Sequence, residues 1–236
     1  MSTAIASLQA GATQVSPAFP ARVSPPAATL HDRIDALQAT VQDLSARRPT
    51  LRPERLSGMH NPWGHAAVLA NAWRFLDLCE DAAILDAVAR LIGPDIVLWD
   101  SELHLAAASY VRFAAQGREG RYWPATPLAG AVVLIAPTRA AHSFTCLDVA
   151  LLANADLSGF DAGAPLYVIR YMPATSQFVR DARSVANWVA MEEQPLINYA
   201  TRPLWLVRGE DRAGSDFVTG FAPPVPRWAA SQLEEH

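Results

Sequence analysis

The sequence predicts a mainly β, α+β fold, an antiparallel sandwich or barrel with helices packed on one side. Apolar residues recur at helical spacing up to about residue 92, and short runs rich in β-branched and aromatic residues, broken by Gly, Pro, Asp or Ser, fill most of the chain beyond it. The 236 residues are 51% hydrophobic and 18% charged, enough for one full core. Helices first and many short strands afterwards suggest a sheet with helical cover.

Residues 1–28 form an Ala/Pro-rich N-terminal segment, in which Pro17, Pro20, Pro25 and Pro26 remove backbone donors. A single domain is expected over 29–236. Thr29 is a candidate N-cap, and Leu30, Ile34, Leu37, Val41 and Leu44 share one helical stripe that ends near Arg47-Arg48-Pro49. The stripe reads as a helix docked on its own core, since a dimerising arm needs three or four heptads. Helices are expected from about His65 to Cys79 and from Asp81 to Ile92, the latter stopped by Gly93-Pro94. Strands are expected in IVLWDSELHL (96–105), SYVRFAA (109–115), GAVVLIAP (130–137), FTCLDVALL (144–152), APLYVIRYMP (164–173) and RPLWLVRG (202–209).

Composition excludes several function classes. A net charge of -4, with 19 Lys+Arg against 23 Asp+Glu and no basic run, leaves no footprint for nucleic acid. The two cysteines, Cys79 and Cys146, are too far apart in sequence for a zinc pair and too few for a disulfide framework, which fits a cytoplasmic location. The N-terminus lacks the basic start of a signal peptide, and no apolar run is long enough for a membrane partner.

Four blocks in order, LIGPDIVLWDSELHL (91–105), RYWPATPLAGAVVLIAP (121–137), YVIRYMPA (167–174) and RPLWLVRGEDRAGSDF (202–217), resemble the phytanoyl-CoA dioxygenase family. FPARVSPPAATLHDRIDAL is similar to the family's opening segment and first helix. The resemblance implies a cupin-like jelly roll, the double-stranded β-helix, flanked by N-terminal helices. It also implies Fe(II) held by an HxD pair and a distal His, with 2-oxoglutarate anchored by an Arg and commonly a Lys. Such enzymes use a two-His-one-carboxylate face with open positions. Counting back from Tyr122-Trp123-Pro124 puts Gly117 at the His position and Glu119 at the Asp position. The lysine falls on Ala106, the distal His on Ala153 or in a deletion, and the arginine on Ala164 or Pro165. The expectation is a degenerate member that binds no metal and no cofactor.

Were the jelly roll kept, period-2 alternation from Ala106 would turn Asp100, Glu102 and His104 inward, and on the next strand Gly117, Glu119 and Arg121. His104 and Glu119 are the candidate acid and base for a metal-free isomerisation, elimination or cyclisation. Trp99, Glu102, Arg121 and Trp123 are the candidate pocket residues. The remaining histidines, His31, His60, His65, His142 and His236, show no ligand spacing; His142, Ser143 and Asp148 lack a nucleophile elbow, and GREG (117–120) is no phosphate loop. Two functions are consistent with this pattern, beside the active Fe(II)/2-oxoglutarate dioxygenase that the resemblance implies. One is a repurposed protein acting on or binding a small hydrophobic molecule, such as an intermediate of a biosynthetic pathway. The other is a non-catalytic pseudoenzyme holding a protein partner or forming a homodimer through the 30–44 stripe or a surface bared by the shortened distal segment.

Overall fold

Helix α1 (Leu30–Arg47) opens on a capping box: Thr29 Oγ1 accepts from the Asp32 N–H at 3.2 Å, and the Asp32 carboxylate accepts from the Thr29 N–H at 2.8 Å. The computed structural model describes residues 29–47, 55–137, 143–193 and 198–217, so the 1–28 segment, His142 and His236 lie outside the described residues. The expected stripe is buried: Ile34, Leu37, Val41 and Leu44 pack into the chain's own core with Phe75 and Leu76. The stripe is therefore covered within the chain itself.

After strand β1 (Arg55–Ser57) the expected helix over 65–79 is broken. A 3-10 turn occupies His65–Val68, and only α2 (Arg74–Cys79) is α-helical. The Asn71 side chain accepts from the Trp73 N–H at 3.1 Å, a local turn that competes with helix. Helix α3 (Ala82–Ile92) forms as expected, with Asp81 as its N-cap accepting from the Ala83 N–H at 2.9 Å and Gly93 leaving it at φ 90°.

Strand β2 (Ile96–His104) is buried along its whole length. The strand expected over 109–115 is instead helix α4 (Ala107–Ala115), whose buried Ala107, Tyr110, Phe113 and Ala114 fall at helical spacing. Nor is 117–121 a strand, because α5 (Arg118–Tyr122) comes directly after. Gly117 separates the two helices at φ 65°, a left-handed conformation that favours glycine. The residue at the expected histidine position thus has a backbone task of its own.

The remaining elements are β3 (Ala125–Thr126), β4 (Ala131–Ile135), β5 (Phe144–Asp148), β6 (Leu166–Pro173), β7 (Gln177–Phe178), α6 (Val185–Glu193) and β8 (Trp205–Arg208). The main sheet runs β1-β2-β6-β4-β5, antiparallel throughout, and β8 pairs with the first half of β2 on the edge where β1 pairs with the last. Strands β3 and β7 form a separate two-stranded sheet. The protein is therefore a mixed fold of helices and antiparallel sheet. One face of the main sheet buries Leu98, Val133, Ile169 and Tyr171 with α1, α2 and α3; the other buries Val97, Trp99, Val132 and Val168 with α4, α5 and α6. No helix among the described residues is long and apolar enough to cross a membrane.

Candidate functional site

On the second face, a β-bulge sets the site. Leu98 pairs with Tyr171 and Asp100 with Arg170, so Trp99 and Asp100 together oppose a single step of β6. Trp99 therefore turns to the same side as Asp100, Glu102 and His104, where strict alternation would have turned it away. The parity expected for Asp100, Glu102 and His104 holds.

Arg170, from the middle of β6 and fully buried, is the hub. Its Nε and Nη2 donate to the two Glu119 oxygens at 2.6 and 2.9 Å, a bidentate pair, and its Nη1 lies 3.0 Å from Asp100 Oδ2 and 2.9 Å from Glu102 Oε2. Arg202 donates to Asp100 Oδ1 and, at 3.0 Å, to the Tyr122 hydroxyl. Arg55 stands 3.7 Å from Glu102. Three guanidinium groups thus face three carboxylates, and the ions balance. Ser57 and Tyr122 both donate to Glu102 Oε1, at 3.0 and 2.9 Å. Aromatic rings cover the cations: Arg170 lies 4.6 Å from the Tyr122 ring and Arg202 4.7 Å from that of Tyr199.

This pairing governs the electrostatics. Burial would raise Glu102, but Arg170 and Arg55 hold it well below the usual carboxylate range. Asp100 goes the other way: burial, with the Glu102 charge beside it, outweighs Arg202 and Arg170 and raises it. Burial pushes Tyr122 well up, so it stays a hydroxyl donor, and it lowers His104 despite the Glu102 carboxylate.

The sequence-derived candidates separate into two groups. Glu119 is buried, but its oxygens are taken by Arg170 and by the Trp123 indole N–H at 3.2 Å, which makes it a clamp on Arg170. Trp99 and Trp123 pack edge to face, 5.0 Å between ring centroids, and the Trp123 ring lies against Gly130 so closely that a Cβ there would fall 2.0 Å from it. Arg121 is exposed, contrary to expectation, because on a helix it lies off the face that buries Glu119 and Tyr122.

His104 lies apart from the clamp. Its Nε2 is 3.4 Å from Glu102 Oε2 and its Nδ1 2.6 Å from Ser109 Oγ in the first turn of α4. Ser109 lines a surface cavity of about 380 Å³ with Leu105, Ala106, Ala108 and Arg112. A second cavity of about 170 Å³ is lined by Ala107, Ala136, Phe160, Asp161, Ala164 and Pro165 among others. The expected lysine position, Ala106, thus edges the first cavity, and the expected arginine positions the second.

The donor set does not fit the iron that the family resemblance implies. An Fe(II) face needs three donors with lone pairs to give, whereas each carboxylate here already faces a guanidinium and, among the described residues, His104 is the imidazole bonded to one of them. Among the described residues no group of three His, Cys, Asp or Glu side chains is arranged to hold a metal. Sequence reasoning missed Arg170, Arg202, Arg55 and Ser109. A lone arginine inside the apolar run LYVIRYMP was the available signal for the first, since a buried charge requires partners.

No family model and no curated protein matches the chain. It is similar to two solved structures of the non-heme monooxygenase ThoJ: the apo form, at 17% identity over 90% of each chain with a TM-score of 0.39, and a nickel complex, at 16% over 90% of each with a TM-score of 0.37. Overlap at this level carries no argument about fold or chemistry, and the resemblance to the phytanoyl-CoA dioxygenases rests on the four sequence blocks alone.

Proposed function

We propose that the chain is a metal-independent protein for a small apolar molecule, built on a reduced jelly roll in which an arginine–carboxylate network stands in the place of an iron centre. The β3–β7 pair is the remnant of the smaller sheet. The observation that carries this reading is Arg170: it spans Glu119, Asp100 and Glu102, so the carboxylate at the expected ligand position serves a cation of the chain itself. Neither Ala106 nor Ala164 offers a cation to a 2-oxoacid. Binding then falls to the cavity beside His104, where Leu105, Ala106 and Ala108 give an apolar wall and Ser109 and Arg112 give polar groups. His104 serves there as the proton-handling group and Glu119 as structural support.

Native mass spectrometry of the purified protein tests this. A small apolar molecule at one per chain is expected, and Ala108→Phe, which fills the cavity from the first turn of α4, is expected to release it. A molecule retained in full by Ala108→Phe, or a protein that neither carries a ligand nor gains thermal stability from short apolar acids and esters, contradicts the reading.

A further inference from the structure

The His104–Ser109 contact carries more than a binding role. The serine hydroxyl has one proton and two acceptors in reach, His104 Nδ1 at 2.6 Å and the Ala106 carbonyl at 3.0 Å. Were it given to Ala106, His104 would have to donate from Nδ1, and a neutral ring would then turn a bare Nε2 lone pair on Glu102. Glu102 accepts from Ser57 and Tyr122 and lies beside Arg170 and Arg55, the surroundings of an ionised carboxylate. For a neutral ring, the arrangement that satisfies every group has Nε2–H pointing to Glu102 and the Ser109 O–H donating to Nδ1. Burial lowers His104 and keeps the ring neutral, in agreement with this tautomer.

We infer that Ser109 is an activated nucleophile, with His104 as its general base and Glu102 as the group that orients the ring, and that the substrate is an activated ester or thioester of a short apolar acyl group. The inference rests on the reading that the cavity beside Ser109 is the binding site. Ser109 is half-buried and lines that cavity, so an acyl carbon can reach it, whereas His104 and Glu102 are shielded behind. The order Glu–His–Ser is that of a hydrolytic triad with the two ring nitrogens exchanged. In the step, Ser109 Oγ bonds to the carbonyl carbon as its proton passes to Nδ1. The tetrahedral intermediate then expels the alcohol or thiol, which takes that proton. Water attacks the acyl-serine with proton transfer through the same nitrogen, releasing the carboxylic acid and restoring the hydroxyl. The backbone N–H groups of Ala107, Ala108 and Ser109 are committed to Ala164, Ala162 and Ala106. Arg112, the charged member of the lining, stands at the same cavity and would face charge on the tetrahedral oxygen.

A fluorophosphonate probe, which phosphonylates activated serines with loss of fluoride, tests the inference on the full chain without knowledge of the natural substrate. The expected result is one adduct per chain, located on Ser109 by peptide mass spectrometry. Ser109→Ala should abolish it in a chain that still melts cooperatively, at a somewhat lower temperature because the buried His104 Nδ1 loses its partner, and His104→Gln should slow it about 100-fold. A wild-type chain that stays unlabelled, or an adduct elsewhere, overturns the inference. If Ala108→Phe still displaces a bound molecule while Ser109 stays inert, the binding reading survives and the nucleophile does not.

Discussion

Arg170→Met is expected to destabilise the fold by about 3–5 kcal/mol, the cost of leaving buried charges without their partner. The substitution leaves two guanidinium groups facing three carboxylates, and all three carboxylates are at most 2% exposed. Glu119 loses both arms of its bidentate pair, retaining the Trp123 indole N–H. Set against a total stability of about 5–15 kcal/mol, such a loss brings the chain close to unfolding at ambient temperature. The compensating variant Arg170→Gln/Glu119→Gln restores the charge balance and should recover a substantial part of the loss. Urea denaturation of the single and double variants measures both. A loss for Arg170→Met below about 1 kcal/mol, the range of exposed pairs, would mean that water reaches the network.

Acid should unfold the protein through His60. This residue is 1% exposed, and burial, aided by the Arg202 charge, lowers its pKa from 6.5 to about 3. Below pH 6.5 the unfolded chain takes up a proton that the folded chain refuses, so stability is complete above that pH and is lost as pH falls towards 3. The span corresponds to about 5 kcal/mol, at no more than about 1.4 kcal/mol per pH unit. His104, also lowered, adds in the same direction, and Glu102 extends the loss further into acid because its depressed value stabilises the fold only while it is ionised. Asp100, raised, acts against the trend. Urea titrations between pH 7.5 and 4 should therefore show a stability slope that shrinks by up to one proton's worth in His60→Gln. An identical slope in the variant would show that His60 titrates alike in both states.

The range of the forces involved decides how much the sequence disclosed. Helix α1 was readable because its cap and its buried stripe are local and agree, and β2, β4, β6 and β8 because long apolar runs bounded by Gly and Pro have one economical fate. The stretch 109–115 reads as strand because Tyr110, Val111 and Phe113 favour it, while the deciding fact, burial of Ala107, Tyr110 and Ala114 on one side, is set by tertiary packing. Parity found Asp100, Glu102 and His104 but could not foresee the bulge that brings Trp99 to their side. Glu119 was found, yet its partner was not, since Arg170 lies 51 residues on and no local pattern joins them. Ser109 is not legible as a site residue while 109–115 reads as strand, because only the first turn of α4 brings it to His104.

In the proposed function the chain's own cations occupy the carboxylates around the expected iron position. Anaerobic calorimetric titration of the purified protein with Fe(II) and 2-oxoglutarate, with metal analysis after desalting, tests it most directly. No saturable heat at micromolar concentrations and no retained iron are expected, in the wild type and in Glu119→Gln alike. One equivalent of Fe(II) retained together with 2-oxoglutarate would contradict it.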